Sequence, residues 1–202
     1  MVKRTCFLLG CCVCLLAALR LSAADPQLEQ LYRKIGPNDI PGNIIKMVGD
    51  DWMLITAGDG SEKGQYNTMT ASWGGMGCLW SKPVTFILVR NERYTYQLLE
   101  KNKYYTLTFY DKKYRPQLQK IFGTKSGRDT DKVKESGFHP IDTGFGMAYT
   151  EANLIICCRK IYGDKMAEEN AIPELAKEWY FNGSKNFHKL YFGEIVAVWI
   201  RK

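Results

Sequence analysis

The 202-residue chain has few of the residues on which metal sites depend. It contains two histidines, His139 and His188, and no Cys and His residues clustered at zinc-ligand spacing. A metal site would therefore have to be built from scattered carboxylates. The chain also lacks repeats, low-complexity tracts and an interdomain linker, and 46% of its residues are hydrophobic. After an N-terminal segment, this composition predicts one folded domain over residues 25–202.

The motifs of several large enzyme classes are missing as well. Thr70 stands where a nucleophile elbow around Ser72 needs glycine, and the segment 123–127 (GTKSG) lacks the spacing of a phosphate-binding P-loop. No glycine fingerprint for dinucleotide binding follows a predicted strand. The sequence therefore gives no positive support for a hydrolase or an NTPase.

The first 24 residues differ from the rest of the chain. Lys3 and Arg4 precede an apolar run over residues 6–19 that only Gly10 interrupts. Small residues at 22–24 (SAA) then provide a cleavage site. The pattern predicts a signal peptide over residues 1–24, cleaved near Ala24, and export to a periplasm or to the cell exterior.

Two alternatives remain for this segment. A membrane anchor is disfavoured because the apolar run is shorter than the roughly 20 residues that span a bilayer, and Arg20 interrupts it. Lipid attachment at Cys11 would require a cleavage that leaves too little apolar segment for export. We therefore expect no stable membrane span in the mature chain.

Cleavage after Ala24 changes both charge and cysteine content. It removes three basic and no acidic residues, so the formal net charge falls from +7 to +4, which gives no indication of a nucleic-acid partner. Three cysteines remain, Cys78, Cys157 and Cys158, and an odd number does not form a disulfide framework. Cys157 and Cys158 are adjacent on a predicted strand, so we expect them to be buried on opposite faces.

Short segments rich in β-forming residues dominate the mature chain. Several alternate in side-chain type, and their connections do not suit a regular series of parallel crossovers. The predicted fold is mainly β with flanking helices, either an antiparallel barrel or a sandwich. The predicted strands are Trp52–Ala57, Asn67–Trp73, Val84–Arg90, Tyr104–Tyr110, Asn153–Ile161 and Leu190–Ile200. The predicted helices are Tyr96–Lys101 with Thr95 as its cap, Arg115–Phe122 and Pro173–Tyr180.

One segment combines small polar side chains with glycines. Residues 67–78 (NTMTASWGGMGC) offer hydroxyls and backbone N–H groups suited to an anion or to the edge of a heterocycle. The glycines after Trp73 allow another molecule to approach the backbone closely. The alternative is a strand that ends in a flexible turn.

Several motifs, taken in order, resemble the flavin reductase-like FMN-binding split-barrel family, especially its flavoredoxin-like branch. The similar segments are NTMTASW at 67–73, KP at 82–83, RYT at 93–95, SGRDTDK at 126–132 and HKLYFGEI at 188–195. They span most of the mature chain. The resemblance implies an antiparallel split β-barrel that binds FMN, and a homodimer with the flavin near the subunit interface.

The resemblance also implies the residues of the site. The flavin-facing strand and turn would comprise Asn67, Met69, Thr70, Ala71, Ser72 and Trp73, with Trp73 beside the ring. The phosphate side would comprise Arg90, Arg93 and Thr95, residue types that suit an anion at a helix start. The second loop would contribute Ser126, Gly127 and Lys132, with the lysine acting as a point charge. The closing strand would contribute Phe192 and the catalytic candidate His188, for which a structural hydrogen-bonding role is the alternative.

The implied activity is that of an oxidoreductase whose electrons pass through FMN. In one interpretation, NADH or NADPH reduces the flavin, which then reduces a second acceptor. In the alternative, a flavoredoxin-like electron-transfer or flavin-binding protein has no nicotinamide activity of its own, which predicted export favours because nicotinamides are chiefly cytoplasmic. A third possibility is a noncatalytic exported barrel that has lost its ligand.

Overall fold

The computed structural model describes residues 23–181 and 186–202, so residues 1–22 of the predicted signal peptide lie outside the described part. The described strands are β1 Tyr32–Ile35, β2 Met53–Gly58, β3 Tyr66–Ala71, β4 Gly74–Leu79, β5 Lys82–Val89, β6 Tyr104–Phe109, β7 Pro140–Asp142, β8 Met147–Tyr149, β9 Leu154–Lys165 and β10 Lys189–Arg201. The α-helices are α1 Pro26–Leu31, α2 Tyr94–Lys101, α3 Arg115–Gln117, α4 Lys132–Ser136 and α5 Pro173–Tyr180. Within these ranges, no helix has the length and apolar character needed to cross a membrane.

Eight strands form one antiparallel sheet in the order β3-β2-β6-β9-β10-β5-β4, with β1 paired to β10. The two end strands, β3 and β4, are consecutive in the chain but are not paired with each other. The sheet is therefore an antiparallel split barrel, and the predicted mainly-β fold is confirmed. Ser72 and Trp73 join the end strands and so lie at the split.

The sheet separates two apolar clusters because its side chains alternate between faces. On β2, Ile55 belongs to one cluster and Leu54 to the other. The adjacent cysteines of β9 divide in the same way, with Cys158 in the first cluster and Cys157 in the second. Both thiols are free and fully buried, which confirms their predicted separate burial.

The six predicted strands are present with small shifts at their ends, whereas β1, β4, β7 and β8 were not predicted. The glycine-rich segment after Trp73 is a strand, not a flexible turn. Gly75 lies under Phe86 of β5, where a Cβ atom would come within 2.6 Å of the phenylalanine ring. Gly74 and Gly75 therefore allow close pairing of β4 with β5.

Two helix predictions are corrected. Helix α2 begins at Tyr94 with Arg93 at the N-cap, so Thr95 is not its cap. Thr95 is instead buried in the first turn, where its hydroxyl accepts a hydrogen bond from Asn67. The predicted helix over residues 115–122 is α-helical only over Arg115–Gln117 and continues as a π-helical turn over Leu118–Gly123.

Candidate functional site

A cleft of about 360 Å³ opens at the split of the barrel. Its walls come from the end of β3, the end of β5, the start of α2, helix α5 and the residue before β10. The lining residues are Met69, Thr70, Ala71, Ser72, Trp73, Leu88, Arg90, Arg93, Trp179 and His188. Seven of these belong to the predicted cofactor-binding set, so the fold brings them together.

A second cavity of about 210 Å³ adjoins the cleft and shares Met69 and Arg93 with it. It is bounded by β3, the start of α2 and the loop that leads into α4. The predicted residues that line it are Asn67, Met69, Arg93, Thr95, Ser126, Gly127 and Lys132. The two cavities together therefore contain every predicted cofactor residue except Phe192.

Strand β3 gives the cleft an apolar edge. Met69 and Ala71 are buried in the core cluster that includes Ile55, and their edges reach the cleft. The Thr70 hydroxyl donates to the Leu118 carbonyl oxygen at 2.5 Å. Thr70 therefore attaches β3 to the π-helical turn, and its hydroxyl proton is already engaged.

Asn67 connects three walls of the second cavity. Its Nδ2 atom donates to Thr95 Oγ1 at 2.7 Å, which ties β3 to α2. On the loop side, a Cβ atom at Gly127 would lie 1.9 Å from Asn67 Oδ1. Only glycine permits this approach. Since the Thr95 hydroxyl accepts from Asn67, its own proton remains available for a ligand acceptor.

Lys132 places a buried amine in the second cavity. The side chain is 7% exposed, and Nζ donates to Thr68 O at 2.8 Å and to Phe122 O at 3.3 Å. Burial, with a smaller contribution from the positive charge of Arg93, lowers the pKa of Lys132 to about 8. The preceding residue, Asp131, caps α4 by accepting the Lys134 backbone N–H and so fixes the start of the helix.

Arg93 is the second cation of this region and lines both cavities. Its Nη1 atom donates to Gly123 O at 2.9 Å. Burial and the charge of Arg90 lower the pKa of Arg93, with Glu92 acting in the opposite direction. Within the described ranges, neither Arg93 nor Lys132 forms an ion pair with a carboxylate. A buried lysine and a half-buried arginine that are bonded to carbonyl groups favour the binding of an anion.

Aromatic rings surround the other end of the cleft. The Trp73 ring lies 4.8 Å from the His188 ring and 5.1 Å from the Trp179 ring, centroid to centroid. His188 Nδ1 is 2.9 Å from the Tyr180 hydroxyl. His188 precedes β10 and does not lie within it, which corrects its predicted position. Burial, followed by the charge of Arg90, lowers the pKa of His188 to about 4, so the imidazole is neutral at physiological pH.

Comparison with known proteins identifies the family of this arrangement. A sequence model of the flavin reductase-like domain matches residues 48–202. The chain belongs to the flavin reductase-like family. A search of curated proteins found no match.

Solved structures share the fold of this flavin reductase-like chain at low sequence identity. An FMN-binding domain of a flavin reductase-like enzyme from Shewanella baltica has 12% identity and a TM-score of 0.58, covering 84% of this chain and 77% of that chain. The flavoredoxin of Desulfovibrio vulgaris has 19% identity and a TM-score of 0.55, covering 75% and 69%. An NADH:FAD oxidoreductase of Streptomyces globisporus has 15% identity and a TM-score of 0.55, covering 75% of each.

The residues of this flavin reductase-like chain fit FMN in chemical type. The cations of the second cavity, Arg93 and Lys132, suit the phosphate group. The apolar edge of β3 and the Trp73 ring suit a flat, largely apolar heterocycle. Met69 and Arg93 line both cavities, which therefore lie side by side, an arrangement that suits one ligand with an anionic end and a ring.

Phe192 lies elsewhere. Its ring packs 5.9 Å from Phe86 and 6.2 Å from Tyr162, on the face of the sheet where β4, β5, β9 and β10 adjoin. It lines neither cavity, and its assignment to the flavin stays a prediction.

Two residues that line the cleft, Leu88 and Trp179, were not predicted from the sequence. The helical spacing of Leu175, Ala176 and Trp179 predicted α5 but gave no sign that the helix faces the cleft.

The depressed pKa of His188 leads to a prediction on acid stability. The neutral imidazole is favoured in the folded state, so stability conferred by His188 is present above its unfolded pKa of 6.5 and is lost as the pH falls toward about 4. The variant His188→Gln should lose less unfolding free energy than the wild type over that range, measured by urea denaturation between pH 4 and 7. His139→Gln is the control at the exposed histidine. If the unfolding free energies of the wild type and of His188→Gln depend equally on pH, the lowered pKa of His188 is contradicted.

Proposed function

We propose that this chain is an exported FMN-binding oxidoreductase that passes electrons from NADH or NADPH through bound FMN to a second acceptor. The observation that carries the proposal is a pair of cations, the half-buried Arg93 and the buried Lys132, beside an aromatic cleft at the split of a flavin reductase-like fold. Export rests on the sequence of residues 1–24 alone.

The proposed binding mode follows from the two ends of the site. Arg93, Lys132 and the hydroxyl proton of Thr95 hold the phosphate. The Trp73 ring and the apolar edge of β3 lie against the isoalloxazine. FMN supplies the electron chemistry, so no side chain has to act as a strong acid or base. His188 is neutral and contributes a hydrogen bond to the flavin or the nicotinamide, not a proton at physiological pH.

The second candidate is an electron-transfer or flavin-binding protein that is reduced by a protein donor. Its support is the predicted export, because nicotinamides are chiefly cytoplasmic. Anaerobic addition of NADH and of NADPH to the FMN-loaded protein separates the two candidates. Bleaching of the flavin bands by either nicotinamide supports the reductase. Bleaching by dithionite but by neither nicotinamide supports the carrier.

We further propose that the chain forms a homodimer through an aromatic strip on the sheet. The strip consists of Trp80, Tyr162, Phe192 and Phe86, whose successive ring centroids are 6.4, 6.2 and 5.9 Å apart. Trp80 is 64% and Tyr162 43% exposed. Aromatic side chains are enriched at protein interfaces, so a second copy is a suitable cover for this surface.

The dimer proposal predicts a change of mass. Trp80→Ser removes the most exposed ring of the strip and should shift the protein from dimer to monomer in analytical ultracentrifugation at micromolar concentration. Ile45→Ser is the control, since Ile45 is 84% exposed at a distant point of the sequence and should leave the mass unchanged. A wild-type protein that sediments as a monomer would rule out the dimer.

A further inference from the structure

Helix α5 supplies one wall of the cleft although it belongs to the connection between β9 and β10. Of its side chains, Trp179 lines the cleft. The Trp179 and Trp73 rings meet at 84° in a T-shaped contact. Such a contact uses the edge of one ring and the face of the other, and Trp179 remains 48% exposed. The indole therefore has surface left for a third ring.

Two polar contacts attach the end of α5 to residues of the cleft. Arg90 Nη2 donates to the Trp179 carbonyl oxygen at 3.1 Å, a contact that satisfies a carbonyl at the C-terminal end of the helix. One residue further on, the Tyr180 hydroxyl is within 2.9 Å of His188 Nδ1. The Tyr180 ring also lies 5.6 Å from the Arg90 guanidinium. These contacts fix Trp179 relative to Trp73.

The exposed side of α5 shows that the position of Trp179 is not simply a consequence of core packing. The helix buries Ala176 and Tyr180 and leaves Leu175 52% exposed. Trp179 lies one turn after Leu175 on the exposed side of the helix, and its ring contacts Trp73 of the cleft. The indole of Trp179 therefore lies at the opening of the cleft.

We propose that Trp179 is a specificity-determining residue that stacks against flat aromatic electron acceptors, such as quinones, and that Arg90 is a positioning residue that holds it there. This inference rests on the proposed function, since the acceptor meets the cleft beside the flavin. It adds a role for Arg90, because one donor of the guanidinium that the resemblance assigned to phosphate is bonded to α5.

The test uses equilibrium titrations of the oxidised protein in two stages. The FMN dissociation constant is measured first, from quenching of flavin fluorescence. The FMN-loaded protein is then titrated with 1,4-naphthoquinone, followed by the change in flavin absorbance. The variants are Trp179→Ala, Trp179→Phe and the matched control Leu175→Ala, which changes an exposed apolar residue of the same helix. No step depends on turnover or on the identity of the electron donor.

Removal of the indole in Trp179→Ala should weaken naphthoquinone binding by about 2- to 12-fold, which corresponds to the interaction free energy of an aromatic ring pair. Trp179→Phe should retain most of the affinity, and Leu175→Ala all of it. The FMN dissociation constant of Leu175→Ala should stay within about twofold of wild type, and in Trp179→Ala and Trp179→Phe it should change less than the naphthoquinone affinity does. Equal naphthoquinone affinity in Trp179→Ala would overturn the proposal, as would a parallel loss of FMN affinity. A wild type that binds no FMN would instead show in the first titration that the proposed function is wrong.

Arg90 is tested through its effect on Trp179. Arg90→Ala should weaken naphthoquinone binding in the wild-type background, and Arg90→Lys should restore much of the affinity because lysine can also donate to a carbonyl. In the Trp179→Ala background, Arg90→Ala should add less than about twofold, because coupled residues give non-additive effects. Additive losses would show that Arg90 acts independently of Trp179 and would overturn its positioning role.

Discussion

Replacing Lys132 with methionine should weaken FMN binding by about 10- to 150-fold, the range expected for loss of one hydrogen bond to a charged group. The lysine amine is buried and bonded to two backbone carbonyl oxygens, so it can donate its third proton to a phosphate oxygen. Methionine keeps similar length without the charge. The measurement is the FMN dissociation constant at pH 7, obtained from quenching of flavin fluorescence.

The pH dependence of the same titration gives a second, independent result. Because the pKa of Lys132 is about 8 in the free protein, FMN affinity of the wild type should fall as the pH rises through that value. The FMN affinity of Lys132→Met should not show this decline with pH. Lys134→Met is the control, since it changes an exposed lysine of the same helix. Wild-type affinity in Lys132→Met would show that the amine does not hold the phosphate.

Replacing Gly193 with alanine should lower the free energy of unfolding by about 1–3 kcal/mol, the usual cost of overpacking a core. The new Cβ atom would lie 2.2 Å from the Tyr105 hydroxyl oxygen and 2.7 Å from its Cζ atom. Tyr105 is fully buried and cannot move into solvent. Its hydroxyl is 2.9 Å from Thr85 Oγ1, which in turn lies 3.2 Å from Cys158 Sγ. The substitution therefore disturbs a buried polar network as well as the packing.

Urea denaturation of matched variants measures this effect. Gly77→Ala on β4 is the control, because no atom lies within 4 Å of a Cβ at that position. The double variant Gly193→Ala with Tyr105→Phe should recover part of the loss, since removing the hydroxyl relieves the shorter of the two contacts. A Gly193→Ala protein as stable as the wild type would contradict the close packing of the Tyr105 side chain against Gly193.

The strands could be predicted where apolar side chains recur along the sequence. Buried strands such as β5, β6 and β9 carry this pattern, and their antiparallel order follows from short connections. Strand β4 does not, because its glycines have no side chains to reveal a face. The side chain that requires glycine at position 75 is Phe86, which lies on another strand. The cap assigned to Thr95 was wrong for a similar reason, since its hydroxyl is engaged by Asn67, 28 positions earlier in the sequence.

The site was predicted mainly from motif order, because its residues come from separate parts of the chain. The motifs at 67–73, 93–95 and 126–132 converge on two adjoining cavities. What motif order does not reveal is which donors are already engaged within the protein. Arg90 uses one of its N–H donors to bond α5, and Lys132 uses two of its three protons on backbone carbonyl oxygens. The contribution of Trp179 depends on the path of one connection and has no local sequence signal.

The most direct test of FMN binding is a titration of residues 25–202, the predicted mature chain, with FMN, followed by flavin absorbance and fluorescence. We expect a saturable complex of one FMN per chain, with shifted flavin bands and altered flavin fluorescence. A flavin spectrum that remains that of free FMN at every protein concentration would contradict it.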